Sequence, residues 1–274
     1  MNDTMDPRKR LGIPGALFTV PLTTALRNAN GFRLAVDAPA RNALMLREHH
    51  LDAALLSPID FARDGSSYRV VSGVAASSQS SNSAITLHFR EGLHHIGTLA
   101  ADPALTSEII LAKIILAEEF DLSPKIVPFQ GPLDVMLGKA DAALLAGDTS
   151  LGEAAAHPNA VDLVEAWVEM TDLPFVHCFW CAREEDLTDG EVQALQEARD
   201  KGTAMISDIA ADAAAQSRTS VPIVSLRAHL ESFSYDFTEE VEEGLQEFLR
   251  FAYYHGVLPD VPDVRWWGVN REED

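Results

Sequence analysis

The segment Met45-Leu-Arg-Glu-His-His-Leu-Asp-Ala-Ala-Leu-Leu-Ser57 returns later in the chain as Met136-Leu-Gly-Lys-Ala-Asp-Ala-Ala-Leu-Leu-Ala146. Both copies read as the end of a helix, a turn, and a short apolar strand, Asp-Ala-Ala-Leu-Leu. A period of about 89 residues is far too long for stacked solenoid repeats. It suits two α/β lobes built on the same plan.

The flanking sequence supports that plan. Arg10–Gly15, Phe32–Ala38 and Leu51–Ser57 have the apolar, β-branched character of strands, with helical patterns at Val20–Ala29 and Ala40–His50 between them. Short apolar runs alternating with helices of about ten residues signal βαβ units and a largely parallel sheet. Tyr68–Ala76 and Ser83–Phe89 read as two more strands, divided by the polar run Ser77-Ser-Gln-Ser-Ser-Asn-Ser83. The pattern restarts with a strand at Ile96–Ala101, an apolar helix at Thr106–Phe120, a strand at Lys125–Phe129, a short helix at Pro132–Gly138 and a strand at Ala140–Ala146. An aromatic segment from Trp167 to Trp180 carries the chain back, and long helices are expected at Thr188–Gln216 and Thr238–His255. At 274 residues the chain has the length for two domains. The expected division is residues 1–90 with 180–274 as lobe 1, and 91–179 as lobe 2.

Charge narrows the partners. With 42 acidic against 21 basic residues the net charge is −21, which repels phosphate backbones and anionic membrane surfaces. Neither nucleic acid nor membrane is expected. A small anion is still a feasible ligand, because helix starts offer backbone N–H groups locally whatever the global charge. Arg8-Lys9-Arg10 before the apolar run Leu11–Leu22 has the outline of an export signal, but Pro14 and Pro21 interrupt it. A buried first strand and a cytoplasmic location are the expectation; a periplasmic location is the alternative if the run is a signal.

Redox and metal chemistry find little support. Cys178 and Cys181 lie in Leu173-Pro-Phe-Val-His-Cys-Phe-Trp-Cys-Ala182, whose aromatic and β-branched residues read as a strand rather than the helix start or knuckle a working pair needs. Two buried, unrelated thiols are expected. His49-His50 and His94-His95 fall in polar connections, where adjacent histidines cannot both face one metal on regular structure. Glycine-rich phosphate cradles are absent from the sequence. No cofactor and no metal are expected.

In open α/β sheets, ligands bind beyond the carboxyl ends of the strands. Small hydroxyl residues recur at those points in both halves: Ser57 after the first echo strand, Thr106-Ser107 opening a helix, and Asp148-Thr149-Ser150 after the second echo strand. Asn82-Ser83 stands where the chain enters a strand near the lobe crossing. Any one of these serves equally as a cap or turn former; their recurrence in two lobes marks a cleft that offers neutral dipoles to a carboxylate. Asp148 either orients a ligand hydroxyl or caps the next turn. His177 is a strand residue that either is buried or faces the cleft.

Asp141-Ala-Ala-Leu-Leu-Ala-Gly-Asp148, Trp167-Val-Glu-Met-Thr-Asp-Leu-Pro-Phe-Val176, Phe233-Ser-Tyr235 and Glu243-Gly-Leu-Gln-Glu-Phe248, taken in order, resemble the chorismate dehydratase family of menaquinone biosynthesis by the futalosine pathway. The likeness runs from about residue 10 to 259. It implies an α/β fold of two lobes with a ligand cleft between them, like the type II periplasmic binding proteins. It also implies a cytoplasmic, cofactor-free hydro-lyase that removes water from chorismate to give 3-[(1-carboxyvinyl)oxy]benzoate, with the substrate's own enolpyruvyl carboxylate proposed as base. By the same resemblance Ser83 is the active-site serine, and Thr106-Ser107 are the helix start that receives a carboxylate. One position departs: Ala16-Leu-Phe18-Thr-Val-Pro-Leu22 stands where the family reads Tyr-Leu-Asn-x-x-Pro-Leu, so Phe18 replaces an active-site asparagine and can neither donate nor accept a hydrogen bond. Thr19 is the nearest candidate to compensate. A non-catalytic receptor for a small carboxylate or aromatic solute, using the same cleft, is the alternative reading; the later enzyme that makes dihydroxynaphthoate fits less well.

Overall fold

The computed structural model describes residues 6–153, 159–216 and 221–267. Its strands are β1 Lys9–Ile13, β2 Phe32–Val36, β3 Ala53–Leu56, β4 Arg69–Ser78, β5 Ile85–Phe89, β6 Thr98–Ala101, β7 Lys125–Pro128, β8 Ala142–Ala146, β9 Ala160–Asp162 and β10 Phe175–Ala182. The helices are α1 Val20–Thr23, α2 Pro39–Arg47, α3 Pro58–Ala62, α4 Thr106–Phe120, α5 Leu133–Leu137, α6 Gly147–Glu153, α7 Leu163–Thr171, α8 Asp189–Ala204, α9 Ile206–Gln216, α10 Ile223–Glu231 and α11 Glu239–Tyr254.

Two sheets of five strands form, ordered β2-β1-β3-β10-β4 and β7-β6-β8-β5-β9. The orders are equivalent. In each sheet the echo strand, β3 or β8, holds the centre, and one antiparallel strand from the other half of the crossing is inserted beside it: β10 in the first sheet, β5 in the second. The repeated aspartates do the same work in both lobes. Asp52 accepts the Arg10 backbone N–H at 2.7 Å, and Asp141 accepts that of Thr98 at 2.9 Å. Each carboxylate thus pins the opening of the neighbouring parallel strand, β1 or β6. A local motif fixes register in both sheets.

The lobe boundaries differ from those expected. Ile85–Phe89 pairs with β8 and β9 in the second sheet, so the outward crossing is the Ser77–Ser83 run itself and not a point after residue 90. The return crossing precedes Phe175, where β10 joins the first sheet, and not residue 180. The polar run looked like a turn within one lobe because its composition suits either role.

Two expected helices also change. Val20–Ala29 breaks into 3-10 turns on either side of the single turn α1. Pro21 and the Thr19 and Thr23 hydroxyls, which bond back to main-chain carbonyls, compete with a continuous helix. Thr188–Gln216 divides at Met205, whose φ of −103° and ψ of 12° are not helical. The break lets Ile209 and Ala210 of α9 bury against Leu226 and Leu230 of α10. All eight residues of β10 are buried, which explains why His177 is the one ionisable imidazole in an otherwise apolar interior strand. Cys178 and Cys181 are free and buried there, and burial pushes both thiols up, away from the reactive thiolate. Among the described residues no helix is long and apolar enough to cross a membrane.

Candidate active site

In the first sheet β1, β3 and β4 run parallel, so their carboxyl ends at Ile13, Leu56 and Ser78 lie along one edge, beside the start of β10. The second sheet presents the ends of β6, β7, β8 and β9 in the same way. Hydrogen bonds join the two edges. Leu17 N–H donates to Asp148 Oδ1 at 2.8 Å, Ile59 N–H donates to Ser107 Oγ at 2.9 Å, and Thr106 Oγ1 donates to Asp60 Oδ2 at 2.8 Å.

The predicted site residues separate into two groups. Ser57, Thr106 and Ser107 form one, gathered around a residue that sequence reasoning did not select. Asp60 Oδ2 accepts from Ser57 Oγ and from Thr106 Oγ1, each at 2.8 Å, while Ser107 Oγ donates to Ser57 Oγ at 2.8 Å. Asp60 is 1% exposed; burial pushes its carboxyl up, and the two hydroxyls pull it back down. At the helix start expected to receive a ligand carboxylate, the Thr106 hydroxyl bonds a carboxylate of the chain itself. The Ser57-Pro-Ile-Asp60 spacing of a capping box was the available signal. Glu108, one residue further along α4, is partly buried and adds a second carboxyl with one enclosed oxygen. Its Oε2 lacks a hydrogen-bond partner, and burial, with Asp60 and Asp102 nearby, pushes it up to about 7.

The second group lies at the lobe crossing and contains Phe18, His177, Asn82 and Ser83. Phe18 stacks on Phe233 with centroids 5.0 Å apart and planes 13° apart, and the His177 ring sits 5.3 Å from Phe18 and 5.1 Å from Phe233. His229 of α10 meets the far edge of Phe233 at 5.1 Å. Burial is the main cause holding His177 down at about 3, with His229 contributing, so the ring is neutral at physiological pH. Its tautomer depends on its neighbours. Asn82 accepts the Ala84 N–H with Oδ1, which turns its amide Nδ2 onto Ser78 Oγ at 2.6 Å. Ser78 Oγ lies 3.0 Å from His177 Nε2, and when its hydroxyl donates there the imidazole proton sits on Nδ1. His177 is a neutral imidazole in an aromatic wall.

Ser83 has φ of +57°, a left-handed conformation uncommon outside glycine. Its hydroxyl has no hydrogen-bond partner among the described residues, although its backbone N–H donates to Asp162 Oδ2 at 2.7 Å. Thr19 does not stand in for the missing asparagine. It is 1% exposed, and its hydroxyl is committed to the Pro14 and Ala16 carbonyls. Asp148 contacts Leu17, next to Phe18, from the opposite lobe. His229 and Phe233 complete the wall; no spacing rule linked them to His177, because their proximity depends on how α10 docks.

Two cavities matter here. One of about 360 Å³ opens at the carboxyl end of β1, walled by Gly15, Leu17, Asp148 and the α9 residues Ile209 and Gln216. The other, about 820 Å³, lies along α11 and is edged by Glu239, Glu242, Glu243 and Glu247. The larger sets Arg250 against its four glutamates, while the smaller, lined by Leu17 and Thr19 on either side of Phe18, sets Arg27 against Asp148 and Asp212 and is the less repulsive of the two to an anion. Among the described residues no group of histidine, cysteine or carboxylate side chains has the geometry to hold a metal.

Comparison with known proteins places the family and the fold. The sequence pattern of a family described as menaquinone biosynthesis matches residues 10–254. The chorismate dehydratase of Thermus thermophilus is 27% identical over 256 residues, covering 87% of this chain and 93% of that enzyme. Among solved structures, a protein of Archaeoglobus fulgidus superposes with a TM-score of 0.74 at 16% identity, covering 93% of this chain and 100% of that one. The periplasmic aliphatic sulphonate binding protein of Escherichia coli gives 0.64 at 15% identity over 98% and 94%. The two-lobed chain thus has the periplasmic-binding-protein type of fold.

Proposed function

The chain belongs to the menaquinone biosynthesis family, and from that membership we propose that it is a hydro-lyase of the chorismate dehydratase type, working in the gap between its lobes. The observation that carries this reading is Ser83, whose unpartnered hydroxyl is held in a left-handed conformation at the crossing, close to the neutral His177 wall. Loss of water from chorismate breaks one C–H and one C–O bond and leaves an aromatic ring, so aromatisation supplies the driving force. The protein's share is to bind two carboxylates and hold the ring in the geometry of elimination.

Each element of the site has a part in that task. Ser83 and, with Ser78 donating to Nε2, the Nδ1–H of His177 are neutral donors, suited to a carboxylate or departing hydroxyl without adding a cation. Phe18 and Phe233, stacked on each other and almost wholly buried, form an apolar backing for a cyclic substrate and its aromatic product. The ring at Phe18 replaces the polar contact of the usual asparagine with stacking. Product release on this reading goes through the cavity beside Leu17 and α9.

Incubation of the purified protein with chorismate, followed by mass spectrometry, tests the proposal. The carboxyvinyloxy-benzoate is expected from the parent. Ser83→Ala is expected to lower kcat/KM by about tenfold to a hundredfold, because one positioned donor is lost, with the thermal midpoint unchanged. Thermal stabilisation by chorismate without any product would instead identify a solute receptor and end the dehydratase reading.

A further inference from the structure

Resting on the dehydratase reading above, we infer that Asp162 is a positioning residue: its carboxylate holds the Ser81–Ser83 strap in the one conformation that presents the Ser83 hydroxyl to the cleft. The carboxylate is divided between two tasks. Oδ2 accepts from Ser81 Oγ at 3.0 Å, from Asn82 N–H at 3.0 Å and from Ser83 N–H at 2.7 Å. Oδ1 accepts from Val164 N–H at 2.9 Å and Glu165 N–H at 3.2 Å, capping α7. Two successive backbone N–H groups closing on one oxygen make an anion-binding concavity. Here the anion is an internal side chain tied to the rigid start of a lobe 2 helix.

The strap is gripped from the other side as well. His229 Nδ1 donates to the Asn82 carbonyl at 2.9 Å, and both ends of the Asn82 amide are engaged, with Ser78 and Ala84. A left-handed serine costs about 1–2 kcal/mol relative to ordinary backbone, and it persists only where its surroundings over-determine it. Asn82 is anchored through its backbone N–H, carbonyl and amide, and Ser83 through its own N–H. The Ser83 side-chain oxygen is left free. That pattern fixes a backbone in order to aim one hydroxyl. Since Asp162 belongs to lobe 2 and His229 to the α10 element packed on lobe 1, the aim of Ser83 depends on the relative placement of the lobes.

Asp162→Asn separates the two tasks. Asparagine caps a helix about as well as aspartate, so its single carbonyl oxygen keeps Val164 and Glu165 while its NH2 turns an incompatible donor toward the strap. The expected result is a fall in kcat for chorismate of about tenfold or more with KM changed less than about threefold. In a Ser83→Ala background the same substitution is expected to cost less than about twofold, since there is no hydroxyl left to aim. Equal losses in both backgrounds would overturn the positioning role. Hydrogen exchange at the Asn82 and Ser83 amides judges the grip without reference to turnover: Asp162→Asn is expected to speed it by about tenfold or more. Unchanged exchange contradicts the inference even if the parent is active. If the parent makes no product but exchange accelerates, the dehydratase reading fails and the clamp stands.

Discussion

At the scale of single residues, the site is a collection of groups held in the protonation state that burial favours. His177 is kept neutral and Glu108 is kept protonated into the neutral range, each by loss of water. Their effects on stability have opposite signs. The folded state binds the Glu108 proton more tightly than the unfolded chain, so that contribution is present below pH 4.5 and is lost as pH rises toward about 7. For His177 the unfolded chain binds the proton more tightly, so stability falls as pH drops from 6.5 toward about 3. Comparing Glu108→Gln with its parent cancels the histidine. Urea unfolding is expected to show the variant more stable at pH 8 by on the order of 2–3 kcal/mol, shrinking to less than about 1 kcal/mol at pH 5. An equal difference at both pH values would show that Glu108 is not a buried acid. Composition could not reveal this residue: its neighbours Thr106 and Ser107 were legible as a helix start, but only the packing of α4 on α3 and α7 shows that the Glu108 carboxyl is enclosed.

At the scale of elements, the repeated Asp-Ala-Ala-Leu-Leu was legible because a buried central strand and its pinning aspartate need the same residues in both lobes. Thr106–Phe120 was read to the residue, since its apolar face and abrupt polar flanks admit one assignment. Helix joints were not legible. Gly202 is the clearest case. It lies near the end of α8, where a β-carbon would collide with the Pro21 carbonyl of α1. Helix propensity alone predicts that Gly202→Ala stabilises by about 1 kcal/mol. The close approach of backbone to helix predicts the reverse, a loss of about 2 kcal/mol or more, because main-chain atoms cannot move aside as a flexible side chain can. Urea denaturation decides the sign, and a stabilised variant would show that α8 and α1 are not in contact. Since α1 follows directly on Phe18 and Thr19, this joint also sets where the aromatic wall stands.

At the scale of the whole molecule, two sheets of matching order meet along a seam of hydrogen bonds, with the candidate groups drawn from the outward crossing and from lobe 1 elements beside it. That is why the two-lobed plan was legible in the sequence while the grouping of the candidate residues was not. Ser57, Thr106 and Ser107 were chosen for the same reason as Asn82 and Ser83, yet the first three gather around Asp60 and the last two join Phe18 and His177. Which hydroxyls are already satisfied is decided by contacts between residues about 50 apart, such as Ser57 with Ser107 and Thr106 with Asp60. A charge of −21 adds that the ligand's welcome is local: an anion crosses a repelling surface to reach neutral donors at strand ends. The most direct test of that placement is a crystal structure of the protein with 3-[(1-carboxyvinyl)oxy]benzoate. Density for the ring against Phe233 and His177, with a polar group of the ligand on the Ser83 hydroxyl, is the predicted result. Ligand bound along α11, or a lobe crossing left empty beside a ligand seated elsewhere, would contradict it.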